Sequence, residues 1–303
     1  MIQAVIERCA GIDVGKKFLA VCVMTGPAKE EAQAETRKYG TIRSELVKVR
    51  EWLKGEGCTH VVMESTGCYW KPVLNVLEDD PEYVLRIVLA NPQQVKAITG
   101  HKTDPHDARW LAHLLWYGMV RPSFIPSRAL RDLRDFTRRR KQIIGAASQE
   151  RNRVQKLLED ANVKIGDVLS DVFGLSGQLM LEALVEGKAS SIEIAQQAQR
   201  GARKKIAELE ASLEGHRMRS VHQTLIRHSM QHMAFLAREV ESLDIEIQAL
   251  IQEAQLTGAY QLLQSIPGIR ETAAATILAE SGPDMTQVCQ AAELQFLVGS
   301  GTG

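Results

Sequence analysis

The chain has 303 residues with 37 lysines and arginines and 37 aspartates and glutamates, so its formal net charge is zero and only a local surface can attract nucleic acid. Its length leaves room for two domains, no apolar run approaches the ~20 residues of a membrane-spanning helix, and the N-terminal residues lack the pattern of a secretion signal. The five cysteines form no CxxC pair, which argues against a zinc site or disulfides and predicts buried thiols in a cytoplasmic protein.

Residues 1–125 are predicted to form one domain in which strands and helices alternate. Helical spacing of apolar residues predicts helices over 42–53 and 73–77. Runs of β-branched and apolar residues predict strands near 9–15, 18–24, 58–64 and 83–89, with a weaker strand at 35–40. This order predicts an α/β domain with a mixed sheet and helices on its faces.

Two acidic residues stand at the ends of predicted strands. Asp13 lies in Gly-Ile-Asp-Val-Gly (11–15), where alternation places its carboxylate on the strand face opposite to its apolar neighbours. By itself it could be a simple turn residue at the end of the strand. Glu64 closes an apolar strand, where a charge is uncommon unless it is paired or binds a metal. Because ligands of open α/β sheets gather at the carboxyl ends of strands, we expect the two to act together.

Two further carboxylates share the segment Lys-Thr-Asp-Pro-His-Asp-Ala-Arg (102–109). Asp104 before a proline is typical of a helix N-cap, and Asp107 then favours the helix dipole. Residues three apart also share a helix face, so both can point at the sheet edge of Asp13 and Glu64. The spacing leaves capping and metal binding equally open. An oxygen-only set of four carboxylates selects Mg²⁺ or Mn²⁺ rather than zinc.

Residues 128–156 carry the strongest local charge. They hold ten lysines and arginines and three acids, and ten minus three gives +7; residues 241–303 hold one arginine and eight acids, which gives −7. The density favours phosphate contact over a merely solvated helix face, and the scarcity of aromatic residues favours backbone over base contacts. The predicted nucleic-acid-binding residues are Arg138, Arg139, Arg140, Lys141, Arg151 and Arg153.

Residues 126–256 are predicted to form a long helical region. Its clearest repeat has seven apolar residues at eight heptad sites, which predicts a coiled coil or a long helical hairpin. The repeat can be sealed within the chain or against a second subunit. Its members are Ile226, Met233, Val240 and Ile247 at one heptad position and Ser229, Leu236, Leu243 and Leu250 at the other.

Residues 257–303 form the third predicted segment. The apolar-Pro-Gly-apolar turn at 266–269 precedes a helix-like run over 272–280, which predicts a small segment similar to a helix-hairpin-helix. Such a turn can offer backbone N–H groups to a phosphate or serve only in packing, and its acidic surroundings argue against a dominant DNA contact.

Together these motifs resemble the IS one-ten family of insertion-sequence transposases. The likeness rests on segments 11–15, 63–70, 91–100, 102–108 and 265–273, in that order along nearly the whole chain. The resemblance implies an N-terminal RuvC-like domain of ribonuclease H fold, a coiled-coil region and a C-terminal transposase domain. It also implies that the catalytic metal ligands, the DEDD set, are Asp13, Glu64, Asp104 and Asp107.

The same resemblance implies partners and a second reacting group. Family members are understood to move mobile DNA with a guide RNA from the element, as homo-oligomers, and to combine the DEDD site with a serine nucleophile in the C-terminal domain. Here Ser300-Gly301 is similar to that serine motif but comes too early and lacks the basic region that should follow. We therefore expect a C-terminally truncated transposase without its nucleophile, acting at the nucleoid.

Three functions are consistent with the sequence. The first is a transposase or recombinase that is guided by RNA. The second is a stand-alone Mg²⁺-dependent nuclease resembling a Holliday-junction resolvase, which would use only the four carboxylates. The third is a non-catalytic remnant that still binds nucleic acid.

Overall fold

The computed structural model describes residues 5–27, 31–65, 67–91, 95, 107–123 and 125–284. They belong to two compact units, one reaching to Ile125 and the other starting at Pro126. The finer division at residue 256 stays a prediction. No helix in the described part of the chain is long and apolar enough to cross a membrane.

The first unit is built on a mixed sheet of five strands, as the sequence predicted. The strands are β1 Arg8–Val14, β2 Phe18–Thr25, β3 Gln33–Gly40, β4 His60–Glu64 and β5 Arg86–Ala90. Their order across the sheet is β3-β2-β1-β4-β5. β1, β4 and β5 are parallel to one another, whereas β2 pairs antiparallel with both β1 and β3. The predicted weaker strand is the edge strand β3, whose charged and exposed residues discourage pairing with another chain.

Both faces of this sheet are covered by helices. Helices α1 (Arg43–Gly55) and α2 (Trp70–Glu78) cover one face, and α3 (Asp107–Trp116) covers the other. Alternation along β1 sends Ile12 to the first face and Cys9 to the second. Because both faces are buried, the central strands are apolar almost without interruption.

Helix α3 lies directly on the backbone of β1. A Cβ atom added at Gly11 would be 2.1 Å from the carbonyl oxygen of Ala108 and 2.4 Å from the amide nitrogen of Ala112. Only glycine leaves room for this approach, so the residue at position 11 sets how closely the helix and the sheet pack.

The direction of α3 is antiparallel to that of β1. The Cys9 thiol donates to the Ala112 carbonyl at 3.6 Å, and the Val5 amide donates to the carbonyl of Trp116 at 2.9 Å. The end of α3 therefore lies beside the start of β1. Asp107, the first residue of α3, consequently lies toward the carboxyl end of β1.

The second unit is helical throughout its described secondary structure. Its elements are α4 Arg128–Asp160, α5 Ile165–Val168, α6 Leu175–Glu186, α7 Ser191–Ala195, a 3₁₀ helix Arg200–Lys205, α8 Ile206–Leu213, α9 Ser220–Glu253, α10 Thr257–Gln264 and α11 Glu271–Ser281. Helices α10 and α11 flank the predicted apolar-Pro-Gly turn, in which Gly268 has a φ of 91°. Assignment of this turn to a helix-hairpin-helix motif stays a prediction.

The long helices α4 and α9 pack antiparallel against each other within the chain. The predicted heptad residues Ile226, Leu236 and Ile247 are buried in this unit. Ser229, the polar member of the repeat, is also buried and donates to the Glu150 carboxylate at 2.9 Å. Part of the repeat is therefore sealed inside one chain, and a coiled coil with a second subunit stays a prediction.

Polar pairs accompany the apolar contacts between these two helices. Arg140 on α4 makes two hydrogen bonds to Asp244 on α9, at 2.5 and 3.1 Å. Near the far end, the His222 ring lies 2.7 Å from the Asp160 carboxylate.

Glu150 is the buried acid of this interface. Burial opposes its ionised form, but hydrogen bonds from Ser229 and His232 and the charge of Arg153 outweigh burial and hold the pKa of Glu150 below its ordinary value of 4.5. A carboxyl with a lowered pKa stabilises the fold while ionised and loses that effect on protonation.

The contact at Gly11 leads to the first prediction. We expect Gly11→Ala to lower the free energy of unfolding by about 3 kcal/mol, because α3 must move away from β1 to admit the methyl group. Urea denaturation measures the change. Gly55→Ala is the matched control, since nothing lies within 4 Å of a Cβ added there. Equal stability of the two variants would contradict the close contact.

The second prediction concerns acid. Glu150 contributes stability fully above about pH 4.5, the unfolded pKa, and loses the contribution as the pH falls through the lower folded pKa. On acidification from neutral pH to below pH 4.5, the free energy of unfolding should therefore fall less for Glu150→Gln than for the wild-type chain. Urea denaturation at a series of pH values measures the difference. Glu253→Gln, which replaces an exposed acid of α9, should keep the wild-type pH dependence. If acid destabilised Glu150→Gln as much as the wild-type chain, ionised Glu150 would not stabilise the fold.

Candidate active site

Asp13 and Glu64 lie on neighbouring parallel strands at the same edge of the sheet. The pairing of β1 with β4 aligns Ile12 with Met63, so the next residues along the two strands are Asp13 and Glu64. Adjacent strands are about 5 Å apart. The register therefore brings these two acids together, and both side chains are partly buried.

The two carboxylates also share a face of the sheet. Gly11 and Val62 lie on the face that α3 covers. Asp13 and Glu64 follow each of them by two residues, which returns the side chain to the same face. The expected convergence of strand-end acids is thus present for this pair.

Asp107 approaches the same edge from above the sheet. It is exposed and begins α3, one residue before the Ala108 carbonyl that rests on Gly11. Since α3 runs antiparallel to β1, its first turn lies at the end of β1 that carries Asp13. The fourth predicted acid, Asp104, falls outside the described residues, as does most of the predicted segment 91–100.

The loop after β4 is tied to the neighbouring strand. The Ser65 amide and hydroxyl both donate to the carbonyl of Ala90, at 3.1 and 3.3 Å. Ala90 pairs with Glu64 in the sheet. These bonds hold the backbone that follows Glu64, a positioning contribution that the sequence motif did not reveal.

Buried thiols line the same side of the sheet. Burial raises the pKa of Cys9 to about 12 and also raises that of Cys22. Both therefore stay protonated at neutral pH and do not supply thiolate ligands. Burial is confirmed for Cys9, Cys22 and Cys58, but Cys68 is exposed because it lies in the turn after β4, and Cys289 falls outside the described residues.

The donor set at this edge consists of carboxylate oxygens. Such oxygens suit hard divalent cations such as Mg²⁺ and Mn²⁺, so the chemistry of Asp13, Glu64 and Asp107 fits the predicted metal. Among the residues that the structure describes, no three acidic, histidine or cysteine side chains are grouped so as to hold a metal ion. Asp104 lies outside the described residues.

The predicted basic residues of α4 fall into two groups. Arg138 makes two hydrogen bonds to the buried Glu280 carboxylate, at 2.8 and 3.0 Å, and Arg140 is paired with Asp244. Arg153 is paired with Glu150. Each of these three cations is thus paired with a carboxylate of the second unit, although Arg138 and Arg153 remain exposed.

The other predicted cations face solvent. Arg139, Lys141 and Arg151 are exposed, and the Arg151 guanidinium lies 5.5 Å from the ring centroid of Phe173. The sequence did not predict that Glu280 and Asp244 form ion pairs with arginines of α4. The opposite charges of segments 128–156 and 241–303 were the signal that could have pointed to them.

Comparison with solved structures finds RuvC from Thermus thermophilus. One structure is 22% identical and covers 40% of this chain and 84% of that chain, with a TM-score of 0.27. Another, RuvC in complex with a Holliday junction substrate, is 19% identical and covers 38% of this chain and 99% of that chain, with a TM-score of 0.29. No protein of curated function matches the chain.

A family model identifies the chain. The model DEDD_Tnp_IS110, described as "Transposase", matches residues 10–163, slightly more than half of the 303. The matched range contains Asp13, Glu64, Asp107 and all of α4. The resemblance found in the sequence is thereby confirmed, and the chain belongs to the DEDD_Tnp_IS110 family of transposases.

Proposed function

We propose that this chain is a transposase that rearranges the DNA of a mobile insertion sequence by metal-dependent phosphodiester transfer. The observation that carries the proposal is the position of Asp13 and Glu64, side by side on one face at the carboxyl ends of parallel strands. This pair lies within the part of the chain that matches the transposase family.

The proposed metal ligands are Asp13, Glu64, Asp104 and Asp107, and Mg²⁺ or Mn²⁺ is the proposed cofactor. When bound, the cation would stabilise the negative charge that develops on the phosphoryl oxygens. The carboxylates contribute the binding site. The two strands that carry Asp13 and Glu64 are about 5 Å apart, so one cation could contact both carboxylates.

The packing of the first unit orients these ligands. Gly11 fixes the height of α3 above β1, which determines how closely Asp107 approaches the acids at the sheet edge. Ser65 restrains the backbone after Glu64 through the Ala90 carbonyl. The chain thus provides a partly preformed carboxylate site, and rigid placement of charged groups is what electrostatic catalysis requires.

DNA, a guide RNA and further copies of the chain are the proposed partners. The exposed cations Arg139, Lys141 and Arg151 on α4 support contact with phosphates. Exposed apolar side chains on α9 support an oligomer: Ile245 is 70% and Phe235 is 48% exposed.

The proposal predicts that single carboxylates are indispensable. Asp13→Asn and Glu64→Gln should each lower Mg²⁺-dependent cleavage and joining of insertion-sequence ends by about 100-fold or more, because each removes a charge that holds the cation. The assay uses labelled DNA ends with the cognate RNA. Glu82→Gln is the control. This exposed acid precedes β5 and so lies near the amino ends of the parallel strands, whereas Asp13 and Glu64 lie at their carboxyl ends.

The possible outcomes separate the three functions. Cleavage that depends on Asp13 but is never followed by joining would favour the resolvase-like nuclease. Binding of DNA without cleavage, unaffected by Asp13→Asn, would favour a non-catalytic remnant. Undiminished cleavage and joining by both variants would refute the proposed site.

Neighbouring arginines on α4 provide a further prediction. Arg139→Gln should weaken DNA binding and lower the slope of log affinity against log salt by about 0.9, the value for one lost phosphate contact. Arg138→Gln should instead lower the free energy of unfolding by about 1 kcal/mol, because Glu280 loses a partner. Fluorescence anisotropy and urea denaturation measure the two effects. A DNA-binding defect in Arg138→Gln together with a stability defect in Arg139→Gln would contradict the proposed roles of these two arginines.

A further inference from the structure

The 3₁₀ helix Arg200–Lys205 forms a dense basic surface that lies outside the predicted binding residues. Four of its six residues are cations: Arg200, Arg203, Lys204 and Lys205. All four are exposed. We call these four residues the 3₁₀ basic surface.

Three cations of this surface lack the internal acidic partners that several cations of α4 have. Within the described part of the chain, Arg200, Arg203 and Lys204 make no ion pair and no side-chain hydrogen bond. Lys205 donates to the carbonyl of Val168 at 2.9 Å and keeps its charge at the surface. On α4, by contrast, Arg138 is already neutralised by an internal carboxylate. The 3₁₀ basic surface therefore holds uncompensated positive charge.

The acidic residues nearby form no ion pair with these cations in the described structure. Glu208 follows Lys204 by four residues, the spacing of a helical ion pair, but forms no ion pair in the described structure. The Asp171 carboxylate accepts from the Phe173 amide at 2.9 Å. A cleft of about 400 Å³ borders the surface and is lined by both Arg200 and Lys205, together with Asp171 and serine side chains.

The backbone presents the cations as a compact row. Residues three apart in a 3₁₀ helix lie on the same face, so Arg200 and Arg203 are aligned about 6 Å apart along the axis. Nothing lies within 4 Å of a Cβ added at Gly201, so the backbone beside the two arginines is also open.

The composition of the surface indicates the class of ligand. No aromatic residue occurs among the six, so it lacks a platform on which single-stranded bases could stack. A row of unpaired cations suits the regularly spaced phosphates of a duplex. We propose that the 3₁₀ basic surface binds the phosphate backbone of duplex DNA, an inference that rests on the proposed DNA-transposing function and adds a second contact to that of α4.

The test compares two double variants of equal charge. Arg203→Gln with Lys204→Gln removes two unpaired cations of the surface, whereas Lys188→Gln with Arg238→Gln removes one lysine and one arginine exposed elsewhere in the second unit. Anisotropy with a duplex of about 30 base pairs is measured over a salt series. The first variant should lose about tenfold in affinity at low salt and lower the slope of log affinity against log salt by about 1.8. The second should match the wild-type chain.

Equal affinities and slopes for the two double variants would overturn the proposal, as would the absence of salt-dependent duplex binding by the wild-type chain. If Arg203→Gln with Lys204→Gln weakened binding only to an RNA duplex of the same length, the assignment of the surface to DNA would be overturned. Thermal unfolding of each variant reports whether the fold is intact. DNA cleavage is measured on the same samples with Asp13→Asn beside them, so that failure of the carboxylate site is distinguished from failure of the 3₁₀ basic surface.

Discussion

Backbone contact between α3 and β1 at Gly11 is the constraint on which the first unit depends. With the Ala108 carbonyl only 2.1 Å from the place of a missing Cβ, helix and sheet approach as closely as polypeptide allows. This contact defines the height of α3, and the antiparallel direction of the helix delivers its first turn to the edge of Asp13 and Glu64. A residue without a side chain thus determines where Asp107 lies relative to the sheet.

Several basic residues of the second unit form ion pairs with carboxylates of the same unit. The segments 128–156 and 241–303 have opposite charges in the sequence, and the fold brings some of them together in pairs such as Arg138 with Glu280. A count of basic residues therefore overstates the cations of α4 that can meet a phosphate. The short 3₁₀ helix adds three exposed cations that have no internal partner in the described structure: Arg200, Arg203 and Lys204.

Local patterns predicted the strands and the position of the acids on them, because strand alternation and apolar runs act over a few residues. They could not reveal the contacts of α4 with α11, since Arg138 and Glu280 are 142 residues apart in the chain. They also left open whether the heptads of α9 pack within one chain. The residues that settle this, such as Ser229 and its partner Glu150, carry meaning only once both helices are placed together.

The polar contacts between α4 and α9 also restrict how these two helices can slide. A heptad stripe is nearly unchanged by a shift of seven residues, so apolar packing alone would tolerate several alignments. Such a shift would replace Ser229 by Leu236 opposite the buried Glu150 and leave a carboxylate against a hydrocarbon. The contact between Ser229 and Glu150 therefore opposes a slide of one heptad in that direction and favours the observed alignment of two helices that each exceed thirty residues.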